Sequence, residues 1–138
     1  MYKKIMVPVD LAHIEKLEKA LETAADLSKH YDIPVCYVGV TSSAPGQVAH
    51  TPKEFASKLK DFAAEQEKKY GLTSVDSKSY TSHDPSIDLD ETLIDATGDT
   101  GSDLVVMASH VPGLPEHIFA SNAGEVAMHA KVSVFVIR

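Results

Sequence analysis

The residue types best suited to chemistry cluster near the end of the chain. Leu104 to Ala108 is an apolar run that reads as a buried strand. A loop of small residues with two prolines, Ser109 to Pro115, follows it. The small-residue segment Ala120-Ser121-Asn122-Ala123 then opens a helix, and Val132 to Ile137 reads as a further strand. Helix N-termini attract anions because free backbone N–H groups and the helix dipole both favour negative charge. A strand, a loop and a helix start in this order therefore predict an anion site. At the other end of the chain, Asp10 directly follows the apolar run Lys4 to Val9. A carboxylate there can face a ligand, cap the first helix, or do both.

Other chemistries find little support. The seven histidines, His13, His30, His50, His83, His110, His117 and His129, show no His-x-x-x-His spacing, and the single Cys36 allows no Cys-x-x-Cys pair. They read mostly as surface residues. Cys36 lies within an apolar strand and reads as core. Asp88, Asp90, Glu91 and Asp95 form an acidic helix face, which reads as solvation. Neither a Gly-x-Ser-x-Gly elbow nor a Walker loop is present.

The elements that must position these residues alternate regularly. Ile14, Leu17, Leu21, Ala24, Ala25 and Leu27 have helical spacing that runs to about Tyr31, and Val35 to Val40 is a buried strand. Thr51-Pro52-Lys53-Glu54 gives an N-cap, a proline at the first helical position and a capping-box glutamate. Phe55, Leu59, Phe62, Gln66 and Tyr70 then share one face, and Gly71 stops the helix. Val75 to Ser82 is a polar strand suited to a sheet edge. Ser86 to Thr97 is a third helix, with Ile87, Leu93 and Ile94 as its apolar residues. The β-α alternation predicts a parallel sheet covered by helices on both faces, a three-layer α/β/α fold. In such sheets ligands bind outside the carboxyl ends of the strands, where the winding reverses.

Both ends of the chain resemble the universal stress protein family. The front end Lys3-Lys4-Ile5-Met6-Val7-Pro8-Val9-Asp10 is similar to the family's first strand and its Pro-x-Asp turn. Ala108-Ser109-His110-Val111 and Ala120-Ser121-Asn122 resemble its C-terminal signature, Gly-Ser-His-Gly followed by Gly-Ser-Val/Asn. The Ser-His-x-Pro loop followed by Ser-Asn-Ala resembles one subgroup closely. The resemblance spans the whole chain and implies a five-stranded parallel sheet of order 3-2-1-4-5, Rossmann-like and of the adenine nucleotide alpha hydrolase kind. It also implies a ligand, ATP or another adenine nucleotide, with Mg2+ as a companion ion. On that resemblance Pro8, Val9 and Asp10 line adenine and ribose, and Val40 packs on the adenine. Met107 and Ala108 meet ribose or phosphate, and Ala120, Ser121 and Asn122 hold the outer phosphates. Ser109 and His110 belong to the motif without an assigned contact. The family pattern has glycine where this chain has Ala108, Val111 and Ala120, and the loop is one residue short. Glycine allows φ > 0 and close approach to phosphate, and a β-branched residue such as Val111 disfavours both.

Two functions of different class follow. One is a cytoplasmic, ATP-binding homodimer acting in stress response, joined through the C-terminal strand. The sequence offers no base placed to activate water and no P-loop lysine, so catalysis is at most slow ATP hydrolysis or autophosphorylation. The other is a dimeric interaction module that has lost the nucleotide. A receiver needs an acidic pair after strand one, and a flavodoxin needs a Ser/Thr-rich loop there. Asp10-Leu11-Ala12-His13 supplies neither. The 138 residues suit a single domain spanning 1–138. The net charge of −7 argues against nucleic acid or an anionic membrane surface as partner. A single cysteine, no membrane-length apolar run and no leader pattern fit a reducing cytoplasm.

Overall fold

The computed structural model describes residues 1–109 and 122–138. The chain forms β1 (Ile5–Pro8), a 3-10 turn (Ile14–Lys16), α1 (Glu18–Tyr31), β2 (Val35–Ser42), α2 (Pro52–Tyr70) and β3 (Val75–Ser82). It continues through α3 (Pro85–Thr100), β4 (Leu104–Ala108), α4 (Ala123–His129) and β5 (Ser133–Ile137). The five strands make one sheet in the order β3-β2-β1-β4-β5, and every neighbouring pair is parallel.

Alternation along each strand divides the core in two. Ile5, Val7, Tyr37, Leu104, Val106 and Ile137 point to the face covered by α1 and α2, where they meet Leu21, Phe55, Leu59 and Phe62. Met6, Cys36, Val38, Val40, Val105 and Met107 point to the opposite face, against Leu89, Leu93 and Ala96 of α3 and Val126 of α4. Strands buried on both sides are expected to be apolar throughout, and β1, β4 and β2 as far as Val40 are. The edge strand β3 instead alternates half-buried and exposed residues from Val75 to Ser79, as its polar sequence predicts.

Local signals set the helix ends. Thr51 Oγ1 accepts the Glu54 N–H at 3.1 Å, and Glu54 Oε2 accepts the N–H of His50, the residue before the cap, at 3.1 Å. That amide and the Lys58 ammonium hold the Glu54 carboxyl below its ordinary range. Gly71 ends α2 in the left-handed region at φ 65°, which glycine enters without a Cβ penalty. The first helix differs from its sequence reading. Ile14 begins a 3-10 turn, and the α-helix starts only at Glu18. In the third helix Leu89, Leu93, Ala96 and Thr97 form the buried face, whereas Ile87 is 72% exposed. The helix also runs through Gly98 and ends at Gly101.

Candidate functional site

A cavity of about 450 Å³ opens at the carboxyl ends of β1 and β2. Its walls come from the turn after β1, the end of β2, the 43–49 loop, the first turn of α2 and the start of α3. The Val9 N–H donates to Val38 O at 2.8 Å, so the β1–β2 ladder continues one residue past β1 and fixes where Asp10 begins. Asp10 is only 8% exposed. Its Oδ1 accepts the Ala12 N–H at 3.0 Å, its Oδ2 lies 2.8 Å from His13 Nδ1, and its carbonyl accepts the His13 N–H at 3.0 Å. Asp10 thus organises the turn that follows β1. It does not cap α1, whose N-cap is Leu17.

The opposite wall is the β2–α2 loop. The Gly46 N–H donates to Ala49 O at 3.0 Å, Ser42 Oγ accepts the Ala44 N–H at 3.2 Å, and the Lys58 ammonium donates to Val48 O. The loop therefore folds back over the β2 end, on the far side of the sheet from β5. The third wall is the N-terminus of α3, where Asp84 accepts the Ser86 N–H at 3.1 Å as N-cap.

Val9, Asp10 and Val40 come together in this cavity. Pro8, Met107 and Ala108 are buried and stand outside its walls, Met107 with 0% exposure in the α3/α4 core. The Ser109 N–H donates to Ile137 O at 2.7 Å and so extends the β4–β5 pairing. Asn122 is the N-cap of α4, and its carbonyl accepts the Val126 N–H at 2.9 Å. His110, Ala120 and Ser121 lie outside the described residues. Burial raises the Cys36 thiol above its ordinary range, which keeps it protonated and suits a core residue better than a nucleophile. Among the described residues no group of His, Cys, Asp or Glu is arranged to hold a metal. No described helix is long and apolar enough to cross a membrane.

The model of the universal stress protein family matches residues 1–138. The chain belongs to the universal stress protein family. Universal stress protein G of Salmonella typhimurium strain LT2 is 25% identical over 146 residues, covering 100% of both chains. A universal stress protein from Archaeoglobus fulgidus, solved in complex with dAMP, shares 19% identity and a TM-score of 0.69, over 99% of this chain and 98% of that one. A universal stress protein solved in complex with cAMP shares 16% identity and a TM-score of 0.71, over 99% and 97% of the two chains. At these identities the structural likeness is one of fold, the Rossmann-like five-stranded sheet.

Several walls of the cavity in this universal stress protein escaped the sequence reading. From sequence His13 reads as one of the surface histidines. Phe55 was read as one of the apolar residues of α2, yet it also lines the cavity. The loop composition Ser42-Ser43-Ala44-Pro45-Gly46 was the one available signal, and it announces a turn without saying over what the turn closes.

Proposed function

We propose that this chain binds an adenine nucleotide in the cavity at the β1 and β2 carboxyl ends, and that it does so as a homodimer joined through β5. The observation that carries the reading is Asp10, a nearly buried carboxylate at the end of the central strand, held at both oxygens and lining a cavity of about 450 Å³. That volume is within the range of small-molecule sites, and the walls have the usual character of one. Val9, Val40, Phe55, Val48 and Ala49 give an apolar side suited to a base, while Asp10, Thr41 and Ser42 give polar groups suited to a ribose. The dAMP and cAMP complexes of two proteins of the same fold support an adenine ligand. ATP with Mg2+ is the reading for the full ligand, its outer phosphates reaching Ser121 and Asn122. The sequence Ser109-His110-Val111-Pro112 supports reading the chain as one of the Ser-His-x-Pro subgroup. Its working place is the cytoplasm and its role is in stress physiology, with at most slow turnover.

Asp10→Ala tests the site. Removing a hydrogen bond to a charged group costs about 1.5–3 kcal/mol, so adenine-nucleotide affinity falls roughly tenfold or more while the domain still folds. Fully retained affinity in calorimetry reduces Asp10 to a turn former. A second reading, an interaction module without nucleotide, draws on Ala108, Val111 and Ala120 standing where the family pattern has glycine. Mass spectrometry of ligand released from freshly purified, denatured protein separates the two: an adenine nucleotide supports the first, and its absence together with silent calorimetry supports the second.

A further inference from the structure

One wall of the cavity is a loop, and residues 44–49 of it face the interior. Ala44, Pro45, Gly46 and Gln47 are exposed on their other side. A surface segment of this kind opens easily unless something outside it holds it down. The hold comes from the helix that follows. Ala49 is buried in the same apolar cluster as Phe55 and Leu59 of α2, and Val48 packs against that cluster.

Polar contacts then run from α2 back to the chain on either side of Ala49. The Lys58 ammonium donates to the Val48 carbonyl. The same ammonium lies 3.3 Å from Glu54 Oε1, one turn before it on the helix. The other Glu54 oxygen accepts the His50 N–H at 3.1 Å. The glutamate of a capping box ordinarily reaches the N–H of the N-cap itself. Here it reaches one residue farther, to the place where the loop ends. Val48, Lys58, Glu54 and His50 thus form a closed circuit, and the cap of α2 is also the anchor of the cavity wall. Lys58 stands outside the lining, so any effect it has on the cavity is carried by the loop.

We propose that Lys58 is a positioning residue for the nucleotide cavity. It holds the Val48 carbonyl, Glu54 holds its ammonium in turn, and together they keep the 43–49 loop in place as a wall. This rests on the nucleotide reading above and adds the part of the fold that sets how much of the protein is ready to bind. A ligand that needs the wall binds in proportion to the fraction of molecules in which the wall is formed. Removing the ammonium lowers that fraction. The Lys58 side chain is 47% exposed, so its contacts are screened by solvent and the effect is modest.

The test compares wild type with Lys58→Met, which keeps the aliphatic stem and removes donor and charge, and with Lys58→Arg, which keeps both. Two quantities are read. One is native-state hydrogen exchange at the Gly46 and His50 amides, which donate to Ala49 O and Glu54, against the Ala63 and Gln66 amides in the middle of α2. The other is AMP affinity by calorimetry. In Lys58→Met the two loop amides are expected to exchange roughly two- to fivefold faster and AMP to bind weaker by about the same factor, with the α2 amides unchanged. Lys58→Arg is expected to restore both. Unchanged loop exchange overturns the hold of Lys58 on the wall. Faster loop exchange with unaltered AMP affinity overturns its bearing on binding and leaves the nucleotide reading standing. Faster exchange along all of α2 overturns it as well, because the loss is then one of helix stability. If wild type takes up no AMP, the nucleotide reading falls and the role of Lys58 in binding falls with it. Thermal unfolding confirms that the variant is folded, and Lys58→Gln replaces Lys58→Met if it is not.

Discussion

The two edges of the sheet solve the same problem in opposite ways. β3 carries Asp76 and Lys78 among three serines and a threonine, and Lys4 reaches Asp76 at 3.2 Å. Charge along an exposed edge discourages pairing with another chain. β5 reads Ser133-Val134-Phe135-Val136-Ile137 with no charge, and Phe135 is 45% exposed beside a groove formed with Tyr2, Leu27 and Tyr31. The helices differ in step. The β3 side is covered by the 19 residues of α2 with both ends capped, whereas the described helix beside β5 has 7 residues. One edge is finished within the chain. The other has the character of a surface awaiting a strand, which is the physical case for joining two copies there.

The largest expected effect comes from giving β5 the character of β3. Val134→Lys is expected to convert a dimer to monomer, or to insoluble protein, in sedimentation at micromolar concentration; an unchanged dimer places the interface elsewhere. The next effect lies on the finished side. Leu59 of α2 is fully buried, and Leu59→Ala is expected to cost about 2–5 kcal/mol in denaturant unfolding. Its association state should remain that of wild type, and a variant that also dissociates would show that the two edges are not independent. The smallest effect concerns the seam between the halves. Asp103, just before β4, accepts the Lys3 N–H at 3.0 Å on both oxygens and the Lys4 N–H at 3.1 Å on one, so it ties the start of β1 to β4. Burial pushes its carboxyl up, but these amides outweigh burial and hold it below its ordinary value. A carboxyl lowered by folding stabilises above its unfolded value of about 4 and loses that contribution as pH falls through the folded value. Asp103→Asn should therefore flatten the acid limb of the stability curve below about pH 4. An acid limb as steep as wild type would assign that slope to other carboxylates.

What was legible in the sequence was local or periodic. The Thr51-Pro52-Lys53-Glu54 cap, the stop at Gly71 and the polar alternation of β3 each depend on neighbours a few residues away. Sheet order came from family resemblance, because strand alternation alone does not choose among parallel orders. Ile87 was misread because Leu89 and Leu93 are themselves one turn apart and leave Ile87 on the outer side of α3. The cavity was the least legible part. Asp10 could be named from its place after a strand. His13, the 43–49 loop and Asp84 meet only because three carboxyl-end connections converge, and no spacing within any one of them records that meeting.

Gly39, inside β2, limits which substitutions this cavity wall can accept. A Cβ built there would sit 2.8 Å from the ring of Phe55, far inside van der Waals contact. Phe55 is in the first turn of α2, immediately after the Thr51 cap, and its ring is part of the cavity wall. Any larger residue at 39 must displace that ring, and any smaller one at 55 vacates the slot the glycine leaves. Positions 39 and 55 are thus sterically coupled, and a substitution at one without the other remodels the pocket.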